Sequence, residues 1–262
     1  MSAPQTTKGW TVEGAVKPSV VPGSDGAGEV VAVGSKGTRF EKGAKVVTLF
    51  SQAHQSGELT PEILSSGLGG AVDGTLRRYG VFNEEDLSYM PKNLSYLEAG
   101  TLSCAALTAW NALYGVRPFA KAAGARVIAT TSSPAKGEML KKLGADHAIN
   151  YKENPNWGNE AKAISGGVKH VIEVGGMNTM KESLNAVGLD GVVTIIGWVG
   201  GQADGGLDFN FVQSRMAFLR SIVVGSREEF EAMIRTIEAC DIKPVIDQKV
   251  FKLEELKEAC KY

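Results

Sequence analysis

With 262 residues, 43% of them apolar and 22% charged, and a formal net charge of −1, the chain is long enough to bury a sizeable core and too balanced for a disordered, collagen-like or basic nucleic-acid-binding protein. No apolar run approaches the roughly 18 residues of a membrane helix, and three widely spaced cysteines, Cys104, Cys240 and Cys260, fit reduced thiols better than a disulfide framework or a zinc pattern. The expectation is a cytoplasmic protein of one large or two modest domains that meets a small molecule or a protein partner, with no nucleic acid and no membrane.

Short β-rich runs come first. Residues 29–33 and 45–50 are predicted strands, separated by the turn-rich stretch 34–43, and together they read as a small β module. From 51 to 74 the periodicity fails and Gly and Ser dominate, as in a long surface loop that wraps over a site. Tyr79 falls in a further expected strand. Ser95 followed by Glu98 is a capping box, and it opens a helix whose apolar stripe is Leu102, Ala105, Ala106, Ala109 and Leu113.

Strand and helix periods then alternate. Residues 125–131 read as a strand, Ser133 and Pro134 as N-cap and first position of a helix through Leu143, and 148–151 as the next strand. Strands at 170–174 and 192–198 flank a helix opened by Thr179 and Glu182, with Met180, Leu184 and Val187 along one face. A strand at 221–224 precedes a helix capped by Ser226 with Glu229, whose face is Phe230, Met233, Ile234 and Ile237. Such alternation means a parallel sheet, and the domain boundary is expected near Asn93, between residues 1–93 and 94–262.

The run Gly23-Ser24-Asp25-Gly26-Ala27-Gly28-Glu29-Val30-Val31-Ala32-Val33-Gly34 resembles the catalytic-domain signature of the medium-chain dehydrogenase/reductases. The resemblance continues through residues 102–111, 143–147, 171–176 and 224–227, and it is closest to the zinc-independent, alcohol-dehydrogenase-like and quinone-reductase-like branch. It implies an α/β fold, an incomplete Rossmann-type doubly wound parallel sheet plus a truncated GroES-like β domain. It also implies hydride transfer from NADP(H) to a small carbonyl or activated alkene.

Three departures from that pattern stand out. Several strands and an active-site segment of the family are missing after Gly14, where the sequence resumes at Ala15. Between Pro118 and Phe119 the first Rossmann strand and the glycine-rich phosphate loop are missing. The chain ends at Tyr262, where relatives return a last strand to the catalytic domain. The second gap matters most, because a dinucleotide pyrophosphate is held by close backbone approach over glycines and by the free N–H groups of a helix start. Gly67-Leu68-Gly69-Gly70 and the stretch 23–28 are no substitutes, since neither lies between a strand and a helix. Cofactor binding is therefore expected to be weak or absent.

The strand at 125–131 has no carboxylate at its tip to grip a free ribose; Ser132, Ser133 and Lys136 suit a 2′-phosphate instead, and by resemblance Tyr151 lies on the adenine side. The plainer reading is a capping Ser133 and a solvated Lys136. Val174, Gly175, Ile196, Gly197 and Trp198 would line the crevice at the carboxyl edge of the sheet, or form ordinary tight turns. Gly225, Ser226 and Arg227 resemble the family's last cofactor contact; Ser226 is explained as an N-cap, whereas Arg227 at a helix start opposes the macrodipole and calls for an anionic partner. Ser24, Asp25 and Cys104 stand where zinc-dependent relatives place ligands, but His54, His147 and His170 are scattered, so no metal is expected. Cys104 reads as a core residue, Asp25 and Tyr79 have structural explanations, and no catalytic acid is assigned.

Two other readings stay open. One is a non-catalytic shortened relative, either an interaction module or the product of a mis-spliced gene, paired as a homo-oligomer through sheet edges exposed by the missing strand. The other is non-redox reuse of the pocket.

Overall fold

The computed structural model describes residues 19–114, 124–201 and 205–262. Both junctions, Gly14 to Ala15 and Pro118 to Phe119, lie outside the described residues. In chain order the strands are β1 (Ala27–Glu29), β2 (Lys45–Thr48), β3 (Leu87–Tyr89), β4 (Ile128–Thr131), β5 (His147–Asn150), β6 (Val168–Glu173), β7 (Val187–Ile195) and β8 (Phe218–Ser221). The α-helices are α1 (Pro61–Leu64), α2 (Tyr96–Ala99), α3 (Leu107–Tyr114), α4 (Pro134–Lys142), α5 (Trp157–Ser165), α6 (Met177–Ala186), α7 (Phe209–Gln213), α8 (Arg227–Ala239) and α9 (Leu256–Ala259).

Two compact units divide the chain, Met1–Asn111 with Val224–Tyr262, and Ala112–Val223. The expected boundary at residue 93 follows chain order, whereas the first unit takes back the C-terminal residues. The reason is α8. Phe230, Met233, Ile234 and Ile237 recur at helical spacing and are buried against Val47, Leu49, Leu102 and Leu107. The capping box expected at its start is formed: the Ser226 hydroxyl accepts from the Glu229 N–H, and the Glu229 carboxylate accepts from the Ser226 N–H. In the same unit β1, β2 and β3 form an antiparallel sheet in that order.

The second unit is parallel throughout its described strands. β4 pairs with β5, and β6, β7 and β8 form a separate sheet in that order. Strand, helix and strand succeed one another, which forces a crossover helix and hence parallel pairing. Ile149 of β5, Ala161 of α5, Leu184 of α6 and Val187 and Val193 of β7 share one buried cluster.

Several elements differ from the sequence reading. The first strand is Ala27–Glu29, not 29–33: its partner ends where Gly43 turns away at φ +91, and Val31 and Val33 are exposed. The stretch 51–74 holds α1 and two isolated bridges. The single helix expected after Ser95 is three pieces, α2, a π-helical turn at Leu102–Ala106 and α3, although the Ser95 and Glu98 capping box is present. Tyr79 lies outside any strand. Thr179 and Glu182 form no capping box: Gly176 is the N-cap of α6, and the Thr179 hydroxyl turns back to Glu173. The last strand ends at Ser221, since Val224 adopts φ +48, which no strand residue does.

Candidate functional site

β6 and β7 run side by side and their ends stay tied beyond the last ladder pair. The Ile196 N–H donates to the Glu173 carbonyl (2.9 Å), the Val199 N–H to the Val174 carbonyl (3.0 Å) and the Gly200 N–H to the Gly175 carbonyl (2.9 Å). The Asn178 amide adds a bond to the Gly200 carbonyl (2.5 Å). Val174, Gly175, Ile196, Gly197 and Trp198 are thereby brought together at the carboxyl edge of the sheet. Glycine is required where the two tips meet: Gly176 has φ +81, and a Cβ there would stand 2.9 Å from the Cα of Trp198. A Cβ on Gly200 would stand 2.6 Å from the Gly175 carbonyl oxygen. The result is a platform in which the two strand tips pack backbone to backbone, with Trp198 beside them 80% exposed.

Beneath this platform lies Glu173, which the sequence reading passed over. Its carboxylate is 2% exposed and accepts from the Gly176 N–H (2.9 Å), the Thr179 hydroxyl (2.5 Å) and the Ser183 hydroxyl. The signal was present in the sequence, since Val171-Ile172-Glu173-Val174 interrupts a buried strand with a charge that needs partners.

At the carboxyl edge of β4 and β5, Ser133 caps α4 by accepting from the Lys136 N–H (3.4 Å), and the Tyr151 N–H donates to the Thr131 carbonyl (3.0 Å). Ser132, Ser133, Lys136 and Tyr151 therefore share one edge. The cap uses the Ser133 oxygen as acceptor and leaves its O–H for another partner. Lys136 is exposed.

Gly225, Ser226 and Arg227 belong to the first unit. The anion that Arg227 calls for is supplied by the protein: its guanidinium donates to the Glu85 carboxylate and to the Glu85 carbonyl (3.0 Å), with Glu231 at 3.8 Å. Gly225 packs on Leu107, whose Cδ1 would lie 3.0 Å from a Cβ.

Ser24, Asp25 and Cys104 do meet. The Ser24 hydroxyl donates to one Asp25 oxygen (2.7 Å) and the Cys104 N–H to the other (2.8 Å). Burial pushes the Cys104 thiol up, and the neighbouring Asp25 charge pushes it further. Zinc needs a thiolate and free carboxylate oxygens. Asp25 has both carboxylate oxygens engaged, and among the described residues no three His, Cys, Asp or Glu side chains come together, so the donor set that zinc needs is not assembled here.

A family model described as alcohol dehydrogenase GroES-like domain matches residues 4–92, and one described as zinc-binding dehydrogenase matches residues 116–239. The chain is 43% identical to a zinc-type alcohol dehydrogenase-like protein of Schizosaccharomyces pombe, covering 93% of this chain and 78% of the relative. The chain belongs to the medium-chain dehydrogenase/reductase superfamily. Within that superfamily its class is that of the alcohol-dehydrogenase-like oxidoreductases, and its fold is an α/β Rossmann-type arrangement with a GroES-like domain. The alignment with the fission-yeast relative runs over 274 residues, more than the 262 of this chain, so the relative carries residues inside the matched stretch that are missing here. A crystal structure of an alcohol dehydrogenase-like protein of Sinorhizobium meliloti superposes with a TM-score of 0.86 at 33% identity, covering 94% of this chain and 80% of that one. A second solved structure, described as an NAD-dependent alcohol dehydrogenase, superposes with a TM-score of 0.81 at 29% identity, covering 94% and 81%.

Proposed function

We propose that the chain is an NADP(H)-linked oxidoreductase acting on a small carbonyl or activated alkene in the cytoplasm, with cofactor affinity lowered by the missing phosphate loop. The observation that carries this reading is that the hydrogen bonds between the ends of β6 and β7 bring Val174, Gly175, Ile196, Gly197 and Trp198 together at the carboxyl edge of the sheet, where ligands of open parallel sheets bind. When bound, the nicotinamide supplies the hydride chemistry, and the protein supplies position and electrostatics. Ser132, Ser133 and Lys136 would hold the 2′-phosphate and Tyr151 the adenine; two hydroxyls and an ammonium offer donors to an anion, whereas a free ribose favours a carboxylate. The platform would hold the nicotinamide.

Equilibrium fluorescence titration with NADPH and NADH tests the reading. Quenching by NADPH at lower concentration than by NADH is expected, and no binding of either at millimolar concentration refutes it.

A second reading, a shortened non-catalytic relative, is favoured by the residues missing inside the alignment and by the division of the described parallel strands into two sheets. Sheet edges with no neighbour among the described residues invite pairing with a second copy. Size-exclusion chromatography showing a folded monomer counts against that pairing.

A further inference from the structure

The stretch Val245-Ile246-Asp247-Gln248-Lys249-Val250-Phe251 has the β-branched and aromatic content of a strand, yet it lies in none. Among the described residues, none of its backbone N–H or carbonyl groups bonds to backbone elsewhere. Val245 and Val250 are 60% and 59% exposed, and Ile246 is exposed too. The stretch has defined ends: Pro244 before it has no N–H, and the Lys252 N–H after it is taken by the Glu255 carboxylate (2.7 Å).

Its charges are unused as well. Among the described residues Asp247 and Lys249 enter no ion pair: Asp247 accepts from the Lys249 N–H (2.8 Å) and lies 3.5 Å from the Tyr262 hydroxyl, and the Lys249 ammonium stands 4.6 Å from the Phe251 ring and 4.4 Å from the Tyr262 ring. Asp247, Lys249 and Phe251 thus share one side, as residues two apart on a strand do. Set antiparallel against itself about Gln248, the sequence is self-complementary. Val245 meets Phe251, Ile246 meets Val250 and Asp247 meets Lys249, so apolar side chains face apolar ones and opposite charges face each other across the two-fold axis.

We propose that residues 245–251 pair antiparallel with the same residues of a second copy of this chain. On pairing, the bend at Gln248 straightens, and Asp247 exchanges its own Lys249 N–H for the ammonium of the partner's Lys249. The free backbone groups and exposed apolar side chains of each strand are then covered by the other. Seven residues a side make a small interface, so the dissociation constant is on the order of 10 to 100 µM. The proposal stands apart from the cofactor reading and from the sheet edges of the second unit.

Sedimentation equilibrium of the full chain over a range of concentrations tests it. The wild type is expected to rise from the chain mass toward twice that mass. Asp247→Lys sets lysine against lysine at both ion pairs and is expected to weaken the dimer at least tenfold, whereas Asp247→Lys combined with Lys249→Asp restores opposite charges and is expected to return to within about threefold of the wild type. Both positions are exposed, so neither change threatens the fold. A wild type that stays monomeric throughout overturns the proposal. So does a dimer that Asp247→Lys leaves intact, since the copies then meet elsewhere, and so does a double variant no better than the single one, since the loss then comes from the local turn at Asp247.

Discussion

Replacing Asp86 with Asn should stabilise the first unit at neutral pH. Asp86 is half-buried between β2 and β3, and its pKa is pushed up to about 6 from 3.8, first by burial and then by the Glu85 charge, against the opposing pull of Gln55 and Arg227. The raised value means that between pH 3.8 and about 6 the folded chain keeps a proton that the unfolded chain has lost. Stability from this group is therefore intact below the unfolded value and is lost as pH rises through the folded one. The rise corresponds to roughly 3 kcal/mol at about 1.4 kcal/mol per pH unit, and water reaching a half-exposed carboxylate cuts this to about 1 to 1.5 kcal/mol. The amide introduced by Asp86→Asn keeps an acceptor for the Gln55 amide, which lies 3.5 Å from the Asp86 carboxylate. Urea unfolding should show Asp86→Asn more stable by that amount at pH 7.5, by about half as much at pH 5, and equal to the wild type as pH approaches the unfolded value. Hydrogen exchange at the Arg227 and Glu228 amides, which donate to the His54 and Gln55 carbonyls, reports the same unit locally. A variant less stable at pH 7.5, or a gap that does not change with pH, refutes the reasoning.

Gly176→Ala should cost about 2 to 3 kcal/mol and weaken cofactor binding, since it combines a left-handed φ with a Cβ driven against Trp198; thermal unfolding and the fluorescence titration measure the two effects. Asn111→Ala should destabilise the first unit by about 2 kcal/mol, because the buried Asn111 amide (2.8 Å to the Val224 carbonyl) holds a β-branched residue at φ +48, and urea unfolding reads the loss. Lys136→Ala should lower NADPH affinity about tenfold and leave NADH affinity alone, as judged by paired titrations.

The parts that local physics controls were legible in the chain. The α8 stripe at Phe230, Met233, Ile234 and Ile237 and the capping boxes of Ser95 and Ser226 depend only on residues three or four apart, and they form as read. The Thr179 and Glu182 pair has the same spacing and fails, because α6 already starts at the Gly176 cap, which places Thr179 inside the first turn instead of at the N-cap, and its hydroxyl donates to Glu173. Arg227 required an anion on electrostatic grounds, but that Glu85 and Glu231 supply it depends on which segments fold against each other. The sequence by itself determined the alternation of strand and helix, the family, and the glycines that let two strand ends touch. Only the tertiary structure decided which strands share a sheet, which unit takes α8, and that Glu173 is buried under the platform. Those outcomes come from contacts between residues far apart in the chain, which no local period encodes.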